Sequence, residues 1–247
     1  MLIKQDFYFP AADANRPLHI YLPDDYQKTG ERYPVMYFFD GHNLFRDQDA
    51  TYGTSWGLEQ FMQAWPKKMI IVGLECSHVG NERLSEYSPH SFYSPHFGDI
   101  EGNGRATLDW LVHDVKNFMD ENFPTLRHRE ATGIAGSSMG GLMALTAVCC
   151  YNSVFSKAAC LSSAVDFEPV LVWQDLKSSF IDSNTRVYMS LGEGENGHDR
   201  APLHQGLLDY LARFGAATNF YLQEGGHHNE DFWAEQNWSY MDFLWRS

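Results

Sequence analysis

The residues best suited to covalent chemistry lie in a glycine-rich segment, GIAGSSMGGL, at positions 133–142. Within this segment, Gly136 to Gly140 match the pattern G-x-S-x-G, with Ser138 at its centre. In that motif the serine occupies a strained turn between a strand and a helix, and the glycines leave room for the neighbouring elements. Ser138 is therefore the candidate nucleophile. Ser137 is offset from the pattern by one residue, and we assign it a supporting role at most.

A serine hydroxyl needs a base to accept its proton and an acid to orient that base. In the chain order of α/β-hydrolases, both partners lie downstream of the serine. His227 and His228 follow the last predicted strand in a polar, glycine-rich loop, and the pattern alone does not separate them. The acid is expected in a loop that follows one of the two preceding strands. Spacing leaves four candidates open there: Asp166, Glu193, Glu195 and Asp199.

Acyl transfer also requires two N–H donors for the negative oxygen that develops during the reaction. One donor is expected from the residue after the nucleophile, Met139, and the other from the turn that follows the third strand. That turn is Asp40-Gly41-His42-Asn43, directly after the apolar run Val35 to Phe39.

The elements that must position these residues alternate along the chain between two types. Short apolar runs rich in β-formers predict strands at 35–39, 69–74, 131–135, 157–161, 186–191 and 218–222. Longer segments with helical spacing predict helices at 55–65, 106–122, 139–151, 201–214 and 230–245. This order predicts an α/β fold with a mostly parallel sheet flanked by helices. Residues 6–9 and 18–22 flank a turn-rich stretch and predict antiparallel strands at the sheet edge.

One segment, Cys76 to Arg105, has two prolines and several aromatic residues but no clear period. Connections of about thirty residues without regular structure are uncommon unless they have a function. We therefore expect this segment to form a long loop near the active site. The absence of linkers and repeats predicts a single domain over residues 1–247.

Composition excludes several classes of function. The 247-residue chain has a formal net charge of −14 and no cluster of Lys and Arg, so we expect neither nucleic-acid binding nor membrane association. No apolar stretch of about 18 residues is present, and the N-terminus does not read as a secretory signal. The spacing of Cys76, Cys149, Cys150 and Cys160 fits neither a zinc site nor a redox pair. The sequence therefore predicts a cytoplasmic protein with free, buried thiols.

Several ordered motifs extend over nearly the whole chain: YFFDGHNLF at 37–45, NERLSEYSP at 81–89, GIAGSSMGGL at 133–142, GEGE at 192–195 and HNEDFW at 228–233. In these motifs the chain resembles the "putative esterase" family of α/β-hydrolases. That family includes esterase D (S-formylglutathione hydrolase), enterochelin esterase and feruloyl esterase relatives.

The resemblance implies a role for each matching position. It makes Ser138 the nucleophile, Glu195 the acid and His228 the base, and it assigns the oxyanion hole to the N–H groups of His42 and Met139. Many relatives have Asp rather than Glu as the acid. The resemblance also includes an R-x-x-E pattern, Arg83 and Glu86, which we interpret as an ion pair that braces the segment 76–105.

These observations predict a serine carboxylic ester hydrolase that works through an acyl-enzyme, with no metal ion and no organic cofactor. Its expected partner is a small acyl, aromatic or acetylated-sugar ester, and Tyr87 and Trp233 are expected to bind it. An acyltransferase or peptidase on the same triad, or a binding module without catalysis, remains an alternative. The sequence leaves the oligomeric state open, with a homodimer as one option.

Overall fold

The centre of the fold is an eight-stranded β-sheet in a computed structural model that describes residues 1–246. Its strands lie in the spatial order β1-β2-β4-β3-β7-β8-β9-β10, and from β4 to β10 neighbouring strands are parallel. The bounds are β1 Leu2–Phe9, β2 Ala14–Tyr21, β3 Val35–Phe39, β4 Ile70–Leu74, β7 Thr132–Ser137, β8 Lys157–Leu161, β9 Arg186–Gly192 and β10 Ala217–Gln223. A separate small hairpin pairs β5 Phe92–Ser94 with β6 Gly98–Ile100.

Both faces of the central strands are buried, which is why these strands read as continuous apolar runs. On β3, Val35, Tyr37 and Phe39 pack into one apolar layer, whereas Met36 and Phe38 pack into the other. This alternation follows from the two-residue repeat of a strand. The sheet therefore separates two hydrophobic cores, each covered by helices.

In residues 1–246, nine α-helices lie around the sheet. Their bounds are α1 Leu58–Ala64, α2 Glu82–Glu86, α3 Gly104–Trp110, α4 Lys116–Asn122, α5 Met139–Cys150, α6 Pro169–Ser178, α7 Gly197–Ala212, α8 Glu230–Glu235 and α9 Asn237–Trp245 within the described residues. Helices α5 and α7 cover one face, and α1 and α9 cover the other. The predicted α/β-hydrolase fold, a mostly parallel sheet flanked by helices with antiparallel N-terminal strands, is confirmed.

Two predicted helices are interrupted. The helix expected over 106–122 is α3 and α4 joined by a π-helical turn, Leu111–Val115. The helix expected over 230–245 breaks at Gln236, whose buried side chain accepts a hydrogen bond from Tyr188 and donates one to the Phe232 carbonyl. Apolar side chains on both sides of each interruption pack into one core, Leu108 and Met119 at the first and Phe232 and Tyr240 at the second.

Helix α6 is absent from the sequence prediction. Its two buried apolar side chains, Val172 and Leu176, are too few to produce a clear helical period. Pro169 at its first turn is a helix-start signal that the sequence does offer.

The segment 76–105 has more regular structure than expected, because it contains α2 and the β5–β6 hairpin. Its first part, from Cys76 to Arg83, borders a cavity that Ser138 also lines, whereas Phe92 and Tyr93 line a different surface depression. No helix in the described part of the chain is both long and apolar enough to cross a membrane. The four cysteines are free, and Cys150 is partly exposed.

Candidate active site

Ser138 occupies the turn between β7 and α5, in a backbone conformation that is rare for a residue with a side chain. Its φ is 57° and its ψ is −122°. The turn is held from both sides, since the Ser138 amide donates to the Leu161 carbonyl at 2.9 Å and the Ser138 carbonyl accepts from Ala164 at 3.0 Å. Because these bonds come from the end of the neighbouring strand β8, the strained conformation is fixed by the sheet itself.

The glycines around Ser138 permit close backbone contacts. A Cβ atom on Gly136 would lie 2.5 Å from the Gly140 backbone, and one on Gly140 would lie 3.0 Å from the Phe39 Cβ atom on β3. A Cβ atom on Gly141 would lie 3.0 Å from the Leu161 carbonyl oxygen. A side chain on Gly136 would collide with the backbone, and one on Gly140 or Gly141 would force its neighbour to move by a few tenths of an ångström, so the glycines keep this turn tight.

Ser138 opens into a cavity of about 690 Å³ at the carboxyl ends of the parallel strands. Its walls come from the turn after β3, a loop at 51–54, the segment after β4 and the loop before α8. Most of the lining residues have a polar group, although apolar atoms contribute about half of the lining surface: Asp40, His42, Asn43, Thr51, Tyr52, Thr54, Ser77, His78, Arg83, Ser137, His228, Asn229, Glu230 and Asp231, with Cys76 and Trp233 beside them. Such a lining can form many hydrogen bonds with a bound molecule.

His228 lines the same cavity as Ser138, and its Nδ1 atom lies 2.7 Å from Glu195 Oε2. The imidazole is positioned by α8, since Asn229 caps this helix with its side-chain oxygen on the Phe232 amide. Trp233, on the same helix, packs its ring against the imidazole with centroids 5.1 Å apart. A carboxylate at Nδ1 fixes the imidazole tautomer that leaves Nε2 free to accept a proton.

Glu195 is nearly enclosed, with 5% of its side chain exposed, and every partner of its carboxylate is a donor. Oε1 accepts from Ser162 at 2.6 Å and from the Gly192 amide at 2.7 Å, and Oε2 accepts from Arg200 at 2.9 Å as well as from His228. Burial acts to raise the pKa of Glu195, but these hydrogen bonds outweigh it and hold the pKa below its usual value. The group is therefore a stable, ionised partner for the imidazole.

Ser162 and Arg200 were not singled out in the sequence. Ser162 directly follows β8 in a left-handed conformation, and its hydroxyl connects Glu195 to the Trp233 indole, whose N–H donates to it at 2.9 Å. Trp233, expected to bind substrate, lines the cavity. Through Ser162 it also connects helix α8, which follows His228, to Glu195. The signal in the sequence that could have identified Ser162 is its position as a polar residue directly after a predicted strand.

The other candidate acids and bases lie in different surroundings. Glu193 contacts His198, and Asp166 contacts Arg200. His204, a downstream histidine outside the predicted loop, is fully buried between the Arg200 and Ser163 carbonyls. His227 packs its ring against Gly194, because a Cβ atom on Gly194 would lie 2.2 Å from the His227 Nδ1 atom. Glu195 and His228 are the pair that the structure brings together.

The turn after β3 places His42 at the cavity, next to a contact between two glycines. A Cβ atom on Gly41 would lie 2.5 Å from the Gly73 backbone, so the turn lies directly on β4. Met139 is the first residue of α5, and the first N–H groups of a helix have no partner within that helix. The two backbone positions proposed as oxyanion donors therefore follow different strands, β3 and β7, and His42 lines the cavity that Ser138 also lines. Burial lowers the pKa of the His42 imidazole.

Asp40 supports that turn from within the protein. Its carboxylate accepts two bonds of 2.7 Å from Arg83, and the positive charge of Arg83 outweighs burial, so the pKa of Asp40 is lowered. Tyr87, expected to bind substrate, is 1% exposed, accepts the Asp40 amide at 3.1 Å and donates to the Leu74 carbonyl at 3.3 Å. It lies behind the cavity wall and positions the turn.

The expected ion pair between Arg83 and Glu86 does not form. Arg83 binds Asp40 instead, and Glu86 binds Arg16 of β2. Each side chain instead pairs with a buried opposite charge on another element, and a contact between Arg83 and Glu86 would leave those buried charges unpaired.

Glu230 is a further cavity residue that the sequence did not single out as a site. It is 6% exposed, accepts a bond of 3.4 Å from Asn43, and burial raises the pKa of its carboxyl group.

The chain belongs to the esterase family that is described as "Putative esterase", whose model matches residues 10–247. An uncharacterized protein, YbbA, of Bacillus subtilis is 28% identical over 196 residues, which cover 78% of this chain and 74% of that protein. Esterase Rv1288 of Mycobacterium tuberculosis is 29% identical over 183 residues, covering 71% of this chain but 36% of that protein. The protein is thus a carboxylesterase-type hydrolase.

Solved structures share the fold. An IroE-like serine hydrolase from Shewanella oneidensis superposes with a TM-score of 0.75 at 19% identity, covering 99% of this chain and 79% of that one. The enterobactin esterase FES from Shigella flexneri has a TM-score of 0.77 at 16% identity, covering all of this chain and 59% of that one.

The lowered pKa of Glu195 predicts a specific pH dependence of stability. A carboxyl group whose pKa is lower in the folded state stabilises the fold above its unfolded pKa, 4.5, and loses that contribution as pH falls through the folded pKa. We expect the unfolding free energy of the wild type to fall more steeply below about pH 4.5 than that of Glu195→Gln, as measured by urea titration across pH.

Glu193→Gln is the matched control, since Glu193 lies two residues away and contacts His198 rather than His228. Equal slopes for the wild type and Glu195→Gln would contradict the assignment of the low pKa to Glu195.

Proposed function

We propose that the protein hydrolyses carboxylic esters through a triad of Ser138, His228 and Glu195. The observation that carries this proposal is the 2.7 Å contact between His228 Nδ1 and Glu195, in an imidazole that borders the same cavity as the strained Ser138. The left-handed φ of Ser138 supports it, because such strain occurs at functional turns.

In this mechanism His228 Nε2 takes the proton of the Ser138 hydroxyl as its oxygen attacks the ester carbonyl. The carboxylate of Glu195 stabilises the imidazolium that forms. The imidazolium then gives its proton to the departing alcohol, and the acyl group remains on Ser138. A water molecule, deprotonated by the same imidazole, releases the acid and restores the serine.

The N–H groups of His42 and Met139 would stabilise the negative oxygen in both steps. Two features support these donors: His42 lines the cavity, and Met139 begins helix α5 directly after Ser138. A helix N-terminus also favours developing negative charge. Loss of one such donor typically costs about 3 kcal/mol of barrier.

The polar lining favours one of the three expected substrate classes. The aromatic side chains at the cavity are Tyr52, which is largely exposed, and Trp233, which is largely buried and hydrogen-bonded. The remaining wall is rich in donors and acceptors, including Asn43, Arg83 and Glu230. We infer that the substrate is a short acyl ester of a polar, hydroxyl-rich alcohol, such as an acetylated sugar.

The nucleophile is tested by Ser138→Ala, with Ser137→Ala as the matched control. Ser137 borders the same cavity one residue earlier, so it controls for local disturbance. We expect Ser138→Ala to lower kcat at least about 10⁴-fold and to abolish fluorophosphonate labelling, because it removes the hydroxyl that carries the acyl group in the proposed mechanism. Ser137→Ala should keep kcat within about tenfold of the wild type and should still be labelled by the fluorophosphonate.

A folded Ser138→Ala variant that still hydrolyses esters at the wild-type rate would contradict the proposal. So would a wild-type protein that stays unlabelled by the probe while circular dichroism shows it folded.

The substrate class is tested by comparing kcat/KM for acetylated sugars, nitrophenyl esters of increasing acyl length and feruloyl esters, with water as the acceptor. We expect acetyl esters of sugars to exceed feruloyl esters at least about tenfold, a preference of roughly 1.4 kcal/mol that a few hydrogen bonds can supply. A preference for feruloyl or long acyl esters would contradict the inferred class while leaving the triad intact.

A further inference from the structure

Three metal-ligating side chains converge beside the cavity, outside the proposed triad. His42, Glu75 and His78 each offer a ligand atom, and these atoms all lie within 4.8 Å of one another. His78 Nε2 lies 3.1 Å from Glu75 Oε2, and the rings of His42 and His78 meet edge to face with centroids 4.6 Å apart. His42 and His78 both line the cavity.

The topology explains this convergence. His42 lies in the turn after β3 and Glu75 follows β4 directly, and these two strands are parallel neighbours. Their carboxyl ends therefore meet at one edge of the sheet, and His78 is three residues beyond Glu75. The contact between Gly41 and Gly73 brings the two loops together.

Two further features distinguish this group from an ordinary polar cluster. His42 is 5% exposed, and its Nδ1 atom is buried without a hydrogen-bond partner within the described residues. Such an atom is costly unless something binds it. In addition, the second oxygen of Glu75 is bound by His19, which is 1% exposed on the adjacent strand β2. Metal-binding carboxylates are oriented by outer partners in this way.

We propose that His42, Glu75 and His78 form a binding site for a divalent transition-metal ion, with Zn²⁺ as the best fit. Two imidazoles and one carboxylate are a common zinc ligand set, and three protein ligands leave the fourth position open to the cavity. Ligand atoms around a tetrahedral zinc ion lie roughly 3.3 Å apart. His78, whose side chain is 55% exposed, is free to close the remaining gap.

This site goes beyond the proposed esterase activity and differs from the sequence expectation of no metal. The proposed metal site and the proposed esterase mechanism share one residue, because the backbone N–H of His42 is a proposed oxyanion donor. Metal binding itself requires neither Ser138 nor His228.

The test is Zn²⁺ binding by the chelator-stripped protein, measured by competition with a chromophoric chelator. Co²⁺ absorption in the visible range provides a second readout of low-coordinate geometry. We expect one ion per chain, and an affinity at least about 100-fold weaker in His78→Ala and in Glu75→Gln, because each removes a ligand. His78→Ala alters an exposed side chain, so folding should be retained.

The matched controls are His198→Ala, which removes an exposed histidine that contacts Glu193, and His228→Asn. Both should bind Zn²⁺ as the wild type does, and so should Ser138→Ala, which separates this proposal from the esterase mechanism. Absence of one-to-one binding would overturn it. Unchanged affinity in folded His78→Ala and Glu75→Gln, or loss of binding only in His228→Asn, would overturn it as well.

Discussion

The hydrogen bond between Glu195 and His228 is the interaction around which the site is arranged. It joins two loops that follow different strands, β9 and β10, and it holds Nδ1 of the imidazole so that Nε2 is the nitrogen left to accept a proton. Glu195 can serve this purpose because Ser162, Arg200 and the Gly192 amide occupy its other acceptor positions. Without them, a carboxylate that is 5% exposed would tend to take up a proton and lose its hold on the imidazole.

The same region depends on backbone approaches that only glycine allows. Gly136 lies against Gly140, Gly41 against Gly73, and Gly192 against Gly226, where a Cβ atom would lie within 2.6 Å of backbone in each case. The first pair closes the turn at Ser138, the second places the turn at His42 against β4, and the third brings the loop of Glu195 against the loop of His228. These glycines therefore act by allowing close backbone contacts, and hydrogen bonds with Leu161 and Ala164 hold the strained turn at Ser138.

The parts of the fold that the sequence predicted are those with local signals. Strands β3 and β8 were predicted to the residue, because buried apolar runs have clear ends. Ser138 was identifiable because its glycines and its flanking strand and helix are contiguous. The choice between His227 and His228, and among the four acids, depended on loop geometry that spacing does not encode. The resemblance to a family resolved that choice in favour of the pair that is in contact.

Features that join distant segments were not predictable in this way. The pairing of Arg83 with Asp40 rather than Glu86 depends on how α2 meets the turn after β3. The cluster of His42, Glu75 and His78 spans two parallel strands, so no contiguous motif announces it. Both cases lie at the carboxyl edge of the sheet, where the chain crossings bring side chains together.

The most direct test of the proposed mechanism is a crystal structure of the protein after inactivation by a fluorophosphonate. We expect a phosphonyl group on Ser138 Oγ, with one oxygen about 2.7–3.1 Å from both the His42 and Met139 amides and the His228 imidazole still hydrogen-bonded to Glu195. An adduct on another residue would contradict it, and so would an adduct on Ser138 whose oxygens avoid both amides.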